Sequence, residues 1–508
     1  MIIRLVGMIE LFQSFGLWAG HIFSVNGVLL LLLGVALGLV MGAIPGMGAM
    51  TTLVLVLPFT YGWDPLDAFL LLPALFGATT VGGSVAAILI NIPGTPENIM
   101  TMVDGYPLAK QGRAVEALAT SGLSSMIGSL LGIMIFIILV PLLLPVALLF
   151  GPPEVFWLGL FTLVVLATVT GGSFLVNITV GALAFILSFV GMGPLTGVPR
   201  FTYDIMYLQG GIPLIPALVG TFAIAETIKL FAEGKKVAAE KVEVAGSRME
   251  AVHNVIRNKL LILRSAGLGF LIGAIPGVGG TTASYLAYGQ AVQTCKNPEN
   301  FGKGDIRGVI APESSNNAKD VGQLIPTLAL GIPGSGTMTV FLGALILHGI
   351  TPGPFIMRDH FDVVTMVVFT LALAFSISCL VVIFGGKYFS KVLQIDASIL
   401  EITILIVSII ATYFVRYQLL DLAMMLGFGV LGYVVMKLNG SRILLILPLI
   451  LGPIIESNFI VSLQICLGDY SYFFGPISIV LILVMMFSIS LPFIRRRRRG
   501  GNYEELKS

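Results

Sequence analysis

Charge is what this 508-residue chain has least of. Asp, Glu, Lys and Arg make up 11% of it against 56% hydrophobic residues, and mean hydropathy is +1.00. A soluble domain carries about 25% charged residues. Too little polar surface remains to coat a water-soluble globule, so the chain is expected to be an integral membrane protein. Cysteine is scarce too: Cys295, Cys379 and Cys466 are scattered, which excludes a disulfide framework and a zinc-finger spacing. His21, His253, His348 and His360 form no ligand spacing, and no metal site is expected. The sequence has no Gly-x-x-x-x-Gly-Lys-Ser/Thr, no His-Glu-x-x-His and no Gly-x-Ser-x-Gly. Nucleotide hydrolysis on a P-loop, zinc proteolysis and serine hydrolysis have no support, and the chain does not read as an enzyme. The first 25 residues carry Arg4 and Glu10 and lack a small-residue cleavage pattern. They read as an interfacial or first membrane helix.

What is abundant is continuous apolar sequence. Runs such as Val28–Met41 and Gly132–Phe150 do not alternate with period two, so they predict helices rather than a barrel. The expected fold is an all-α polytopic membrane protein with roughly 10–12 membrane segments at about 20 residues each. The stretch 118–150 reads as one long tilted helix or as a hairpin bent near Pro141 and Pro145. Arg495–Arg499 follows the last apolar segment, and Glu233–Arg264 holds seven Lys/Arg against four Asp/Glu. The positive-inside rule places both on the cytoplasmic side. The arginine run then reads as a topology anchor and not as a nucleic-acid site. Glu226, Glu401, Asp421 and Glu456 fall near predicted helix ends, where snorkelling or pairing is expected.

Glycine and proline supply the most specific pattern. Gly42-Ala43-Ile44-Pro45-Gly46 recurs as Gly273-Ala274-Ile275-Pro276-Gly277, a spacing of 273 − 42 = 231 residues. Each copy is followed by a further glycine, Gly48 or Gly279. Asn91-Ile92-Pro93-Gly94-Thr95 is echoed by Gly331-Ile332-Pro333-Gly334-Ser335, a spacing of 333 − 93 = 240. Helix breaks at matched places in two membrane halves point to a transporter's binding site. The expected organisation is an N-terminal segment 1–26, a first membrane repeat 27–231, a basic cytoplasmic linker 232–262, a second repeat 263–494 and a basic tail 495–508. Inverted repeats with re-entrant or broken helices at the Pro-Gly motifs are favoured.

A helix that starts after such a turn aims free N–H groups and its positive dipole end at the tip. Gly46, Gly48 and Thr51 at one tip, with Gly277, Gly279, Thr281 and Ser284 at the other, therefore read as an anion cradle that needs no buried lysine. Thr95, Gly334 and Ser335 extend the candidate substrate set, and Asn91 is a candidate ion-coupling residue at a helix C-terminus. Tight packing through small residues is the competing account of these glycines. The polar stretch Lys303–Asp320 reads as a loop running into an apolar segment. Within it Asn316 and Asn317 are candidate substrate ligands, because an amide both donates and accepts. Glu313 is a candidate proton or cation carrier.

These stretches, with Tyr61, Gly82-Gly83-Ser84, Asp104–Gly112, Phe301–Gly304, Gly308–Pro312 and His348-Gly349 beside Pro352–Pro354, resemble the large membrane subunit of the tripartite tricarboxylate transporters. The match keeps the family's order over nearly the whole chain. Ser314-Ser315 and Glu97 depart from it. The resemblance implies a bacterial inner-membrane, multi-pass permease, and the arginine run puts its C-terminus in the cytoplasm. It implies a small membrane subunit and a periplasmic solute-binding protein as partners. It also implies import of di- or tricarboxylates such as citrate, driven by a Na+ or H+ gradient. A homodimer is a further expectation. A stand-alone carboxylate transporter and a passive anion channel are the alternatives.

Overall fold

The computed structural model describes residues 16, 18–147, 149–193, 196–233, 245–354, 356–390 and 397–505. The expected N-terminal segment, the basic linker and the basic tail thus lie partly outside the described residues. What is described is helical. Among the described residues the one β-ladder is a two-residue antiparallel pairing of Gly191–Met192 with Pro199–Arg200. Eight described helices are long and apolar enough to cross a membrane, and five shorter apolar helices accompany them. The shorter set includes Ala49–Thr60 and Gly336–Leu347, both next to the Pro-Gly motifs.

The chain divides into two compact units, and each draws on both halves of the sequence. The first comprises 1–145, 233–329 and 333–407, the second 146–232, 330–332 and 408–508. In the first unit α1 is Val25–Ala43, α2 Ala49–Val56, α3 Pro65–Ile90, α4 Ile99–Leu108 and α5 Ala114–Ala147. Then follow α6 (Lys259–Gly273), α7 (Gly279–Thr294), α8 (Arg307–Gly322), α9 (Gly336–Leu347) and α10 (Phe361–Gly385). Helix α5 runs unbroken past Pro141 and Pro145, which decides for the long helix over the hairpin.

Helix α1 lies along α3, and α6 lies along α8. Small residues allow this closeness. A β-carbon on Gly42 would stand 2.0 Å from the carbonyl oxygen of Thr79, and one on Gly273 would stand 2.3 Å from that of Lys319. The contact recurs at 273 − 42 = 231 in the first helix of each pair and at 319 − 79 = 240 in the second. These are the spacings of the two sequence motifs. Backbones packed this tightly gain dispersion contacts, which replace the hydrophobic drive that lipid cannot supply between helices.

The second unit sets Pro152–Val169 against Ile443–Cys466 and Pro476–Glu505, and Leu214–Val219 with its π-turn Gly220–Ile224 against Leu419–Lys437. Its acids are paired. Glu456 meets Arg200 at 2.5 Å and Glu226 meets Arg442 at 3.0 Å. Asp421, fully buried, takes Arg416 and the Tyr207 hydroxyl. Pairing, rather than snorkelling, accounts for these three. The side chain of Glu401 lies outside the described residues.

Candidate functional site

The polar stretch expected to be a loop is largely a helix. Helix α8 spans Arg307–Gly322, and every residue from Gly308 to Gly322 is buried. Its sequence is Gly-Val-Ile-Ala-Pro-Glu-Ser-Ser-Asn-Asn-Ala-Lys-Asp-Val-Gly, too polar for a hydropathy window and without one apolar stripe. The helix holds because α6, α7, α4 and α3 pack around it. Its polar groups find their partners, where they have them, on those neighbours, on α5, in the turn at 96–98 and within α8 itself.

Glu313 shows how. The Ser84 hydroxyl, on α3, lies 2.8 Å from both Glu313 carboxylate oxygens. Thr101 Oγ1 donates to Oε1 at 2.5 Å, and Ser125 Oγ donates to Oε2 at 2.6 Å. Asn98 Nδ2 reaches Oε1 at 3.4 Å and Ser84 Oγ at 2.9 Å. Thr95 fixes that amide by donating to Asn98 Oδ1 at 2.6 Å. Burying a charge is tolerated when hydrogen bonds replace its hydration, and bonds to a charged acceptor contribute about 1.5–3 kcal/mol each. The cage ties the Pro93-Gly94 break, through Thr95 and Asn98, to a residue more than 200 positions away.

The second tip differs from expectation. A buried lysine stands against it. Lys319 Nζ lies 2.5 Å from Asp320 Oδ1 and 3.9 Å from Glu97 Oε1. A β-carbon on Gly280, in the first turn of α7, would stand 2.5 Å from that Nζ and 2.4 Å from Glu97 Cγ. The positive dipole end of α7 and the Lys319 ammonium therefore share one place. Gln323 Nε2 adds a bond to Asp320 Oδ1 at 3.1 Å.

The named candidates fall into three groups. Thr95, Glu313, Asn316, Asn317, Ser284 and Gly334 are buried. Of these, Asn316, Asn317 and Ser284 have side-chain polar atoms without a protein hydrogen-bond partner. Gly48, Gly277, Gly279, Thr281 and Ser335 are half-buried, and Thr51 is buried in the first turn of α2. The Ser335 side chain caps α9 by accepting from Met338 N–H at 3.3 Å. The second tip touches the later Pro-Gly motif of its own half: Gly277 N–H donates to the Gly334 carbonyl at 3.2 Å. Gly46 and Asn91 are exposed. Asn91 is the left-handed C-cap of α3 at φ 57°, and the structure does not bring it to the Glu313 cage. Sequence reasoning did not single out Ser84, Asn98, Thr101, Ser125 and Gln323 as ligands, nor Lys319 as a buried charge. Hydroxyls and amides inside otherwise apolar helices were the available signal.

Asp104 anchors the turn into α8. Its carboxylate accepts the Tyr288 hydroxyl at 2.8 Å and the N–H groups of Gly304 and Asp305 at 2.9 Å each. Nothing in this arrangement sets a nucleophile beside a base. Residues 28–447 match the tripartite tricarboxylate transporter TctA family. The chain belongs to that family. It is a multi-pass membrane subunit of a tricarboxylate transporter, not an enzyme. Membership makes it the large subunit of a tripartite system. A protein of Agrobacterium vitis described as "Uncharacterized 52.8 kDa protein in TAR-I ttuC' 3'region" is 31% identical over 481 residues, 93% of this chain and 95% of that one. A second from the same organism, "Uncharacterized protein in TAR-II ttuC' 3'region", is 33% identical over 237 residues, 45% of this chain and 97% of its own. No solved structure matches the chain.

Proposed function

We propose that this subunit imports di- or tricarboxylates as an ion-gradient-driven secondary transporter in a bacterial inner membrane, with its C-terminus in the cytoplasm. A periplasmic solute-binding protein delivers the substrate, and a small membrane subunit completes the complex. The observation that carries this reading is the polar helix α8, buried at every residue from Gly308 to Gly322. It is flanked by Pro-Gly breaks from both ends of the chain, and a buried ionisable stretch of this kind marks a solute path in membrane proteins.

In this reading 27–231 and 263–494 are inverted repeats, with α1 and α3 answering to α6 and α8. The recurrence of the Gly42 contact at Gly273 supports that pairing. The substrate carboxylates meet the N–H groups at the tips, the Asn316 and Asn317 amides and the Lys319 ammonium. Glu313 belongs to the ion-coupling machinery.

Coupling follows from charge. Each negative charge carried into a cell against 100 mV costs about 2.3 kcal/mol, so a trivalent anion needs several co-ions. Uptake of labelled carboxylates into vesicles, with the binding protein added, tests the proposal. Accumulation should require a sodium or proton gradient and should vanish when both are collapsed. Accumulation that survives collapse but needs ATP overturns it, as does binding-protein-independent flow without exchange of internal for external substrate.

A further inference from the structure

One face of α8 carries more oxygen than the protein itself satisfies. Asn316, Asp320 and Gln323 follow one another at intervals of four and three residues, so they share a helix face. All three are at most 1% exposed, and Asn317, beside them, is fully buried. Asp320 Oδ2, Gln323 Oε1 and both polar atoms of Asn316 and Asn317 make no hydrogen bond of good geometry among the described residues, although the Thr80 hydroxyl stands near the Asp320 carboxylate. A native interior rarely leaves so many polar atoms unpaired. Leaving them unpaired is costly, so something other than protein must satisfy them.

Charge and chemistry narrow that something. Lys319, Asp320 and Glu97 stand together with one positive and two negative charges when all are ionised, leaving a net charge of −1. Lys319 Nζ and Gln323 Nε2 both take Asp320 Oδ1. The second carboxylate oxygen takes neither, on the helix face that also carries Asn316 and Gln323. Among the described residues no three His, Cys, Asp or Glu side chains come together, and a soft or transition metal prefers such ligands. One carboxylate oxygen with neutral amide oxygens suits a hard cation, and a net −1 is balanced by a single positive charge.

We propose that Asn316, Asp320 and Gln323 form a binding site for a monovalent alkali cation on the buried face of α8, next to Lys319. As a coupling-ion site it rests on the transporter reading above; as a binding site it does not. The Asn316 and Asn317 amides then turn their oxygens to the cation and their N–H groups to a substrate carboxylate. Cation and anion would be bound cooperatively through shared side chains.

The test is the thermal unfolding midpoint of the purified full-length protein in lipid nanodiscs, titrated with sodium, potassium, calcium or choline chloride at constant ionic strength. The expected result is a saturable rise with sodium or potassium that choline does not give. Asn316→Ala and Gln323→Ala, which change no charge, should weaken the apparent affinity by at least about tenfold, and Asp320→Asn should abolish the response. The proposal falls if the alkali salts act no differently from choline, as they will if water alone fills the site. It also falls if folded Asn316→Ala and Gln323→Ala proteins keep the wild-type titration, or if calcium saturates the site in preference to either monovalent ion. Vesicle uptake separates the two claims: gradient-driven transport that runs on protons, with no alkali-specific midpoint shift, leaves the transporter reading intact and removes the cation site.

Discussion

The hydroxyl of Ser84 stands 2.8 Å from both carboxylate oxygens of Glu313, across 229 residues of sequence. A hydroxyl has one proton, so Ser84 serves one oxygen at a time, while Thr101 and Ser125 hold one oxygen each. The carboxylate is thus held by neutral donors from α3, α4 and α5 at once. It works as a polar knot in the interior of the first unit.

Cutting that knot should be measurable. Ser84→Ala removes a donor to a buried charged acceptor and is expected to destabilise the fold by about 1.5–3 kcal/mol. Unfolding in mixed micelles should show it. A double-mutant cycle of Ser84→Ala with Glu313→Gln should give a coupling of about 1 kcal/mol or more. Additive effects would mean that the two side chains do not interact as described.

The buried lysine makes a different prediction. Lys319→Met leaves the Asp320 carboxylate without its ammonium partner where both side chains are buried. Breaking one side of a buried pair costs about 3–5 kcal/mol, whereas replacing both sides is often neutral. Lys319→Met should therefore express poorly, and Lys319→Met with Asp320→Asn should recover folded yield, read by size-exclusion chromatography. Equal yields from the single and double variants would contradict this.

Gly42 and Gly273 should behave alike. Each would drive a β-carbon into the carbonyl of a facing helix, so Gly42→Ala and Gly273→Ala should each cost about 1–3 kcal/mol through overpacking. Gly46 lies in open space at φ +86°. Gly46→Ala should cost only the left-handed backbone penalty, about 1–2 kcal/mol. Thermal midpoints of the three variants rank these effects.

Tyr288→Phe should loosen the turn before α8. It deletes one of the three bonds to Asp104. Hydrogen exchange at Gly304 and Asp305 should quicken while the centre of α8 stays protected. Unchanged exchange would show that the two backbone donors suffice.

Much of this protein was decided by composition and punctuation. A chain with 11% charge and continuous apolar runs has no soluble alternative, and its backbone must satisfy itself within helices. Repeated Pro-Gly pairs fixed where those helices break, because proline removes a donor and glycine accepts positive φ. The order of the motifs was enough to show the family resemblance. Helix α8 was not legible. Hydropathy finds a helix by its apolar face, and this one buries polar faces on every side, so only its neighbours show it to be interior. The ligands of Glu313 were hidden for the same reason. Ser84, Asn98, Thr101 and Ser125 come from three segments with no common spacing to residue 313. Sequence sets which groups a chain carries, but a hydrogen bond lasts only a few ångströms, and tertiary packing alone decided which groups came that close.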